Sequence, residues 1–257
     1  MAKWRALIAG LIGAVLGAAI LGASPALADE KKQLLPGNFS ANVGLFSDYT
    51  FRGISQTRER PAIQGGIDWS METGVKDIGV YLGAWGSNVK FADGGEATAE
   101  LDWYGGLTGK VGPVDVKVGA IYYHYPGANS NLNYNYLEGM LGLGYAINDA
   151  ISISLAYNGT SDNFGDSGHA HYVNAGASYE TPLKGLDLTL FGNVGHYTID
   201  KSAVFGAPSY WDWKIGASVA VTPNIAVQAF YTDTDVPESF CPENCDARGQ
   251  IAVTASF

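Results

Sequence analysis

Glu100 and Asp102, Asp212 and Lys214, and Asp48 and Arg52 stand two or four residues apart, with apolar or aromatic side chains at the alternate positions between them. In an extended chain, alternate residues share a face, so each set of charges points to one side. Charges aimed into a confined aqueous path focus the local field, and an excess of carboxylate there favours cations. The acids on this register are Asp48, Asp68, Glu72, Glu100, Asp102, Asp115, Glu138, Glu180, Asp187 and Asp212, against the bases Arg52, Lys117, Lys214 and Arg248. Rings on the same register, including Phe46, Tyr81, Trp85, Tyr104, Tyr123, Phe191, Tyr197, Tyr210 and Phe230, would narrow any path. The candidate lining is thus Asp48, Arg52, Asp68, Tyr81, Trp85, Glu100, Asp102, Tyr104, Lys117, Glu138, Asp212 and Lys214. The rival reading is that Asp48 pairs with Arg52 and Asp212 with Lys214, as structure inside a closed interior.

Other chemistries have less to build on. The histidines His124, His169, His171 and His196 sit in no recognisable Ser-His-Asn or Asp-His arrangement, and no G-x-S-x-G or phosphate loop occurs. His169 and His171 are spaced to share a strand face, but two ligands are too few for a metal centre. No catalytic, cofactor or metal site is expected, and the chain is not read as an enzyme.

Strands are the elements that must position these charges, since from Asn38 onward apolar residues recur at every second position. The faces run through Phe39 to Phe51, Ile63 to Met71, Ile78 to Ala84, Ala99 to Leu107, Val114 to Tyr122 and Leu137 to Tyr145. They continue through Ile151 to Tyr157, Val173 to Tyr179, Leu186 to Val194, Trp211 to Val221, Ile225 to Tyr231 and Ile251 to Phe257. The opposite face is Gly, Ser, Thr, Asn, Asp and Tyr with few lysines, unlike the solvated face of a soluble sheet. About twelve strands, an even number, suit a transmembrane antiparallel up-and-down β-barrel whose apolar face meets lipid.

The links alternate in length. Those near 73–77, 110–113, 147–150, 181–185 and 222–224 are short, and those through 53–60, 90–96, 126–134, 159–170, 199–209 and 233–247 are longer. Such parity marks the two rims of a barrel, the short turns periplasmic and the long loops extracellular. Tyr49, Trp69, Trp103, Tyr122, Tyr145, Tyr157, Tyr179, Trp211, Trp213 and Tyr231 lie toward the ends of apolar faces, as interfacial girdles do. The turn Arg52-Gly53-Ile54-Ser55-Gln56 falls at the outer mouth, where it either shapes an entrance or directs the first hairpin.

Residues 1–28 form a signal peptide: Lys3 and Arg5 precede an apolar run from Ala6 to Gly22, and Ala26-Leu27-Ala28 supplies a small-x-small cleavage pattern. A membrane anchor is the alternative, given the length of that run. Residues 29–37 then form a periplasmic N-terminal segment and 38–257 the barrel. Cleavage removes two bases and no acids, so the formal charge moves from −10 to −12. Such an acidic chain is a poor partner for nucleic acid. Cys241 and Cys245 sit in a Pro- and acid-rich stretch; a small loop disulfide suits an oxidising compartment, and a metal site would want more soft ligands nearby.

The pieces Ser47-Asp48-Tyr49, Phe51-Arg52-Gly53-Ile54-Ser55-Gln56, Pro61-Ala62, Gln64-Gly65-Gly66 and Gly83-Ala84-Trp85-Gly86-Ser87-Asn88 resemble the TorF-type family of proteobacterial outer-membrane porins. Glu100-Leu101-Asp102-Trp103-Tyr104-Gly105-Gly106 resembles that family's fourth-strand pattern, and beyond it the likeness is one of architecture. A terminal apolar strand ending in Phe257 resembles the signal read by the barrel-assembly machinery. The expectation is a porin-like channel in the bacterial outer membrane, in contact with lipid, passing small polar or cationic solutes passively. A non-conducting structural or adhesive barrel and a barrel hydrolase are the alternatives.

Overall fold

The computed structural model describes residues 36–91, 94 and 97–257. The signal-peptide segment 1–28 and residues 29–35 lie outside the described residues. Twelve antiparallel strands close into one barrel. They are β1 (Asn38–Phe46), β2 (Ala62–Glu72), β3 (Ile78–Asn88), β4 (Ala99–Val111), β5 (Val114–His124) and β6 (Tyr136–Ala146), then β7 (Ile151–Thr160), β8 (Ala170–Glu180), β9 (Asp187–Ile199), β10 (Tyr210–Ala220), β11 (Ile225–Thr234) and β12 (Arg248–Ser256). Each pairs with its chain neighbours, and β1 also pairs with β12, from Asn42 opposite Ser256 to Phe46 opposite Ala252. Phe257 extends this seam through two backbone bonds with Ala41, at 2.9 and 3.1 Å.

Side chains follow the period of two. Leu45, Ile67, Leu82, Trp103, Leu155, Ile215 and Ile251 point outward and are exposed, together with many other large apolar residues spread around the wall. A water-soluble protein does not carry an apolar belt of this extent, because its transfer from water is the main drive to folding. In lipid the belt is matched to its surroundings. The inward register carries Gly, Ser, Asn, Tyr and the charged residues, and it divides along the axis. Near the short-turn rim Glu72, Glu180 and Asp187 are exposed, and Asp115 pairs with Lys110. Toward the long-loop rim the interior is filled by Phe46, Trp85, Tyr123, Tyr136, Tyr172, Tyr197 and Tyr210. Gly195 lets Tyr172 lie flat on the wall, since a Cβ there would collide with the phenol.

The first strand corrects the sequence reading. It stops at Phe46, and the chain turns into the lumen as a two-rung hairpin, Thr50–Phe51 against Ile54–Ser55. Tyr49 is buried inside the barrel and takes no part in an interfacial girdle, and Phe51 packs on the interior cluster. Asp48 and Arg52 therefore lie on an inturned loop, neither of them on a wall strand, and they do not pair with each other. Asp48 is held by Arg248 at 3.0 Å, while Arg52 reaches Glu138 across the barrel. The misreading has a physical cause: the hairpin is itself extended, so it continues the alternation of β1 without a break. What ends β1 is local polar competition, since Asp48 accepts from the Ser55 and Thr57 hydroxyls at 2.6 and 2.7 Å in place of sheet bonds.

Leu155 sits mid-strand on β7 among Leu143 and Ala175, its outward cross-strand neighbours. Leu155→Arg places a charge at the centre of the apolar belt and should cost about 2–4 kcal/mol. Reversible denaturant unfolding in lipid vesicles reads this directly, and an unchanged midpoint would mean that this face does not meet hydrocarbon.

Candidate functional site

The hairpin is a built object. Arg52 and Gly53 both adopt left-handed backbone, with φ of 48° and 80°, giving the twist of a tight two-residue turn. Gly53 lies so close to Thr234 and Asp212 of the wall that a Cβ would collide with both. The stem is pinned by Gln56 N–H donating to the Tyr49 carbonyl at 2.7 Å and by Gln250 donating to Thr50 Oγ1 at 3.2 Å. Two loops of the long-loop rim cover it: Lys90 N–H donates to the Gln56 carbonyl at 2.7 Å, and Ser55 N–H donates to the Asn244 carbonyl at 2.8 Å. Asn244 belongs to the loop 235–247, which the Cys241–Cys245 disulfide closes. Thr234 Oγ1 donates to the Cys245 carbonyl at 2.9 Å, and Arg58 reaches Glu243 at 3.2 Å.

These anchors deliver one side chain to the middle of the interior. Arg52 Nη2 donates to both oxygens of Glu138, at 2.8 and 2.7 Å, and both side chains are 1% exposed. Its Cζ lies 4.5 Å from the Tyr172 ring centroid, 4.4 Å from Tyr197 and 4.6 Å from Phe51. A guanidinium between ring faces gains cation–π attraction that grows as water is excluded. Glu138 also accepts from the Tyr123 hydroxyl at 3.1 Å and the Asn158 amide at 3.4 Å. Removing two charges from water costs several kcal/mol each, so this cluster persists only because each charge meets its opposite and spare lone pairs are used.

The other expected lining residues fall into three groups. Glu100 and Asp102 are neighbours on the inner face of β4, fully enclosed; Tyr49 donates to Glu100 at 3.0 Å and packs edge-on to Trp85 at 5.4 Å. Farther toward the short-turn rim, Tyr104 donates to Asp68 at 2.7 Å, and the Lys117 ammonium lies 4.1 Å from the Tyr81 ring centroid. On the opposite wall, the Lys214 ammonium lies 4.7 Å from the Phe230 ring, and Asp212 accepts from the Tyr172 hydroxyl at 3.1 Å. Asp212 and Lys214 line a small polar cavity beneath the hairpin tip, with Thr50, Arg52, Gly53, Tyr172, Asn193 and Thr232.

Sequence reasoning missed Tyr172, Tyr136, Asn158 and Asn163. The first three occupy the inward register of β8, β6 and β7, so the period of two carries the signal for them. Asn163 lies in a loop of the long-loop rim and reaches inward to accept from Tyr197 at 2.7 Å, which no local pattern marks. His171 faces outward and bonds the Tyr157 hydroxyl at 2.7 Å. Among the described residues no group of three or more His, Cys, Asp or Glu side chains is placed to hold a metal ion.

A closed twelve-stranded wall, apolar outside and polar within, defines an outer-membrane-type β-barrel. The chain belongs to the bacterial family described as "Bacterial protein of unknown function (Gcw_chp)", whose model matches residues 30–257. Its fold is similar to that of the KdgM porin, at 11% identity and a TM-score of 0.54, covering 85% of this chain and 99% of that one. The NanC porin is similar at 11% identity and a TM-score of 0.51, covering 86% and 99%. The COG4313 outer membrane channel from Pseudomonas putida F1 is similar at 10% identity and a TM-score of 0.51, covering 90% and 99%. No curated protein matches the chain.

Glu138→Gln would leave the Arg52 guanidinium buried against a neutral amide, a loss of about 3–5 kcal/mol for a broken buried pair. The hairpin should then leave the lumen, so that trypsin cuts after Arg52 in the folded, detergent-solubilised variant and not in the wild type. Continued protection of Arg52 would show that the stem contacts alone seat the hairpin.

Proposed function

We propose that this protein is a porin-like channel of the bacterial outer membrane that passes small polar or cationic solutes by passive diffusion. The observation that carries the reading is the division of the barrel. A closed wall with an acid-rich inner face is narrowed toward the long-loop rim by the inturned hairpin together with inward ring side chains, while toward the short-turn rim Glu72, Glu180 and Asp187 stay exposed. The KdgM and NanC barrels, similar in fold, are porins, and one KdgM structure is a complex with disordered oligogalacturonate. The likeness of residues 40–106 to TorF-type porins points the same way.

In this reading residues 1–28 are removed on export, 29–37 precede the barrel, and the short turns face the periplasm. The long loops, with the Cys241–Cys245 bridge, then face an oxidising exterior where a disulfide persists. The β12 strand and Phe257 serve as the signal to the assembly machinery. Asp48, Asp68, Glu100, Asp102, Glu138 and Asp212 outnumber Arg52, Lys117, Lys214 and Arg248, so the interior field favours cations.

The dense packing around Arg52 favours a second reading, a non-conducting structural barrel with its activity in the acidic outer loops. Planar-bilayer recording separates the two. The channel gives small single-channel steps with reversal potentials on the cation side, and deleting residues 51–54 enlarges the steps several-fold. A folded barrel that stays silent with and without residues 51–54 supports the second reading. Within the channel, the double variant Glu100→Gln/Asp102→Asn should lower cation preference, and unchanged selectivity would remove these two residues from the filter.

A further inference from the structure

We propose that Glu138, Tyr172 and Tyr197 form a binding site for guanidinium-type organic cations, and that Arg52 is its tethered occupant. The site deepens the channel reading by naming a ligand class for the constriction. Its walls are assembled without help from the hairpin. Tyr123 and Asn158 orient Glu138, Asp212 and Asn174 fix the Tyr172 hydroxyl, and Asn163 holds Tyr197. The rings of Tyr172 and Tyr197 meet edge to face, with centroids 5.8 Å apart.

The occupant comes from the inturned hairpin, and its seat is conformationally costly, since Arg52 holds a left-handed φ of 48°. A non-glycine residue in that region is strained and persists where its surroundings over-determine it. When the hairpin leaves, the Glu138 carboxylate remains beside the Tyr172 and Tyr197 rings without its cation. An uncompensated charge there is costly, which favours uptake of another cation. Shape then selects among cations. A guanidinium is flat, weakly hydrated and stacks on rings, whereas an ammonium is compact and strongly hydrated. The Tyr197 and Tyr172 rings stand nearly perpendicular, with centroids 4.4 and 4.5 Å from Cζ, and form a corner against which the flat ion fits. A guanidino solute arriving from outside competes with Arg52 for one place, so entry of the solute and release of the hairpin become one equilibrium.

The test uses the full barrel in planar bilayers with methylguanidinium as probe and tetramethylammonium as control at equal ionic strength. Arg52→Ala should conduct more than the wild type. Methylguanidinium should return that current toward the wild-type level at a half-blocking concentration about tenfold below that of tetramethylammonium, as expected for a stacked, desolvated cation. Adding Glu138→Gln to Arg52→Ala should abolish the difference. Equal block by the two cations, or selective block that survives Glu138→Gln, overturns the site.

Should neither wild type nor Arg52→Ala conduct, the channel reading fails, and binding is read by thermal unfolding in detergent. Methylguanidinium then raises the midpoint of Arg52→Ala and leaves the wild type and the double variant unmoved, and an absent or indiscriminate shift overturns the site. Arg52→Gln, which retains the side-chain stem, replaces Arg52→Ala in both measurements if the alanine variant does not fold.

Discussion

Every unpaired backbone amide or carbonyl in hydrocarbon costs several kcal/mol, so a sheet that crosses a bilayer must have no edge. The pairing of β1 with β12 removes the two that twelve strands would leave, with Phe257 and Ala41 exchanging the last bonds of the seam. The rest of the architecture follows from that closure. Once the sheet is a cylinder, the period of two sends one set of side chains to lipid and the other to an enclosed interior. The amino acids suited to each are then nearly fixed: Leu, Ile, Val and Trp outside, small or polar residues within.

Enclosure also creates a problem that the interior chemistry answers. Charged groups on the inner register are far from bulk water, and an isolated one would be intolerable. Most of the inner charges meet this with mutual compensation: Arg52 with Glu138, Arg248 with Asp48, phenols donating to Glu100, Asp68 and Asp212. The Lys117 and Lys214 ammonium groups lie over rings instead. Tyrosine suits such a wall because one side chain supplies both a hydroxyl donor and an apolar face.

Much of this was legible in the sequence, and the boundary of legibility is physical. Strand positions and face assignments from β2 to β12 come from a short-range rule, the alternation of side chains, so Glu100, Asp102, Glu138 and Asp212 could be placed on the inner face one segment at a time. Arg52 could not. Its partner Glu138 is 86 residues away, and the pair exists only because closure brings β6 within reach of the first loop. The Phe51-Arg52-Gly53-Ile54 segment kept the alternation of β1 while reversing direction, so a one-dimensional pattern had no means of seeing the fold inward. The clue lay in Asp48, Ser55 and Thr57, a polar cluster at a spacing that lets side chains compete with the sheet ladder.

The first loop is the one best placed to carry such an element, because its roots are formed by the seam. Asp48 meets Arg248, Thr50 meets Gln250, and Ser47 N–H donates to the Ile251 carbonyl at 2.9 Å, contacts between residues about 200 positions apart in the chain. None of them can form until β12 lies against β1. The hairpin can therefore seat only in a closed barrel, after the last strand has docked, and its seating adds contacts across the seam that closed it. Closure positions the arginine, and the seated loop in turn bridges the one strand pair whose two members come from opposite ends of the chain.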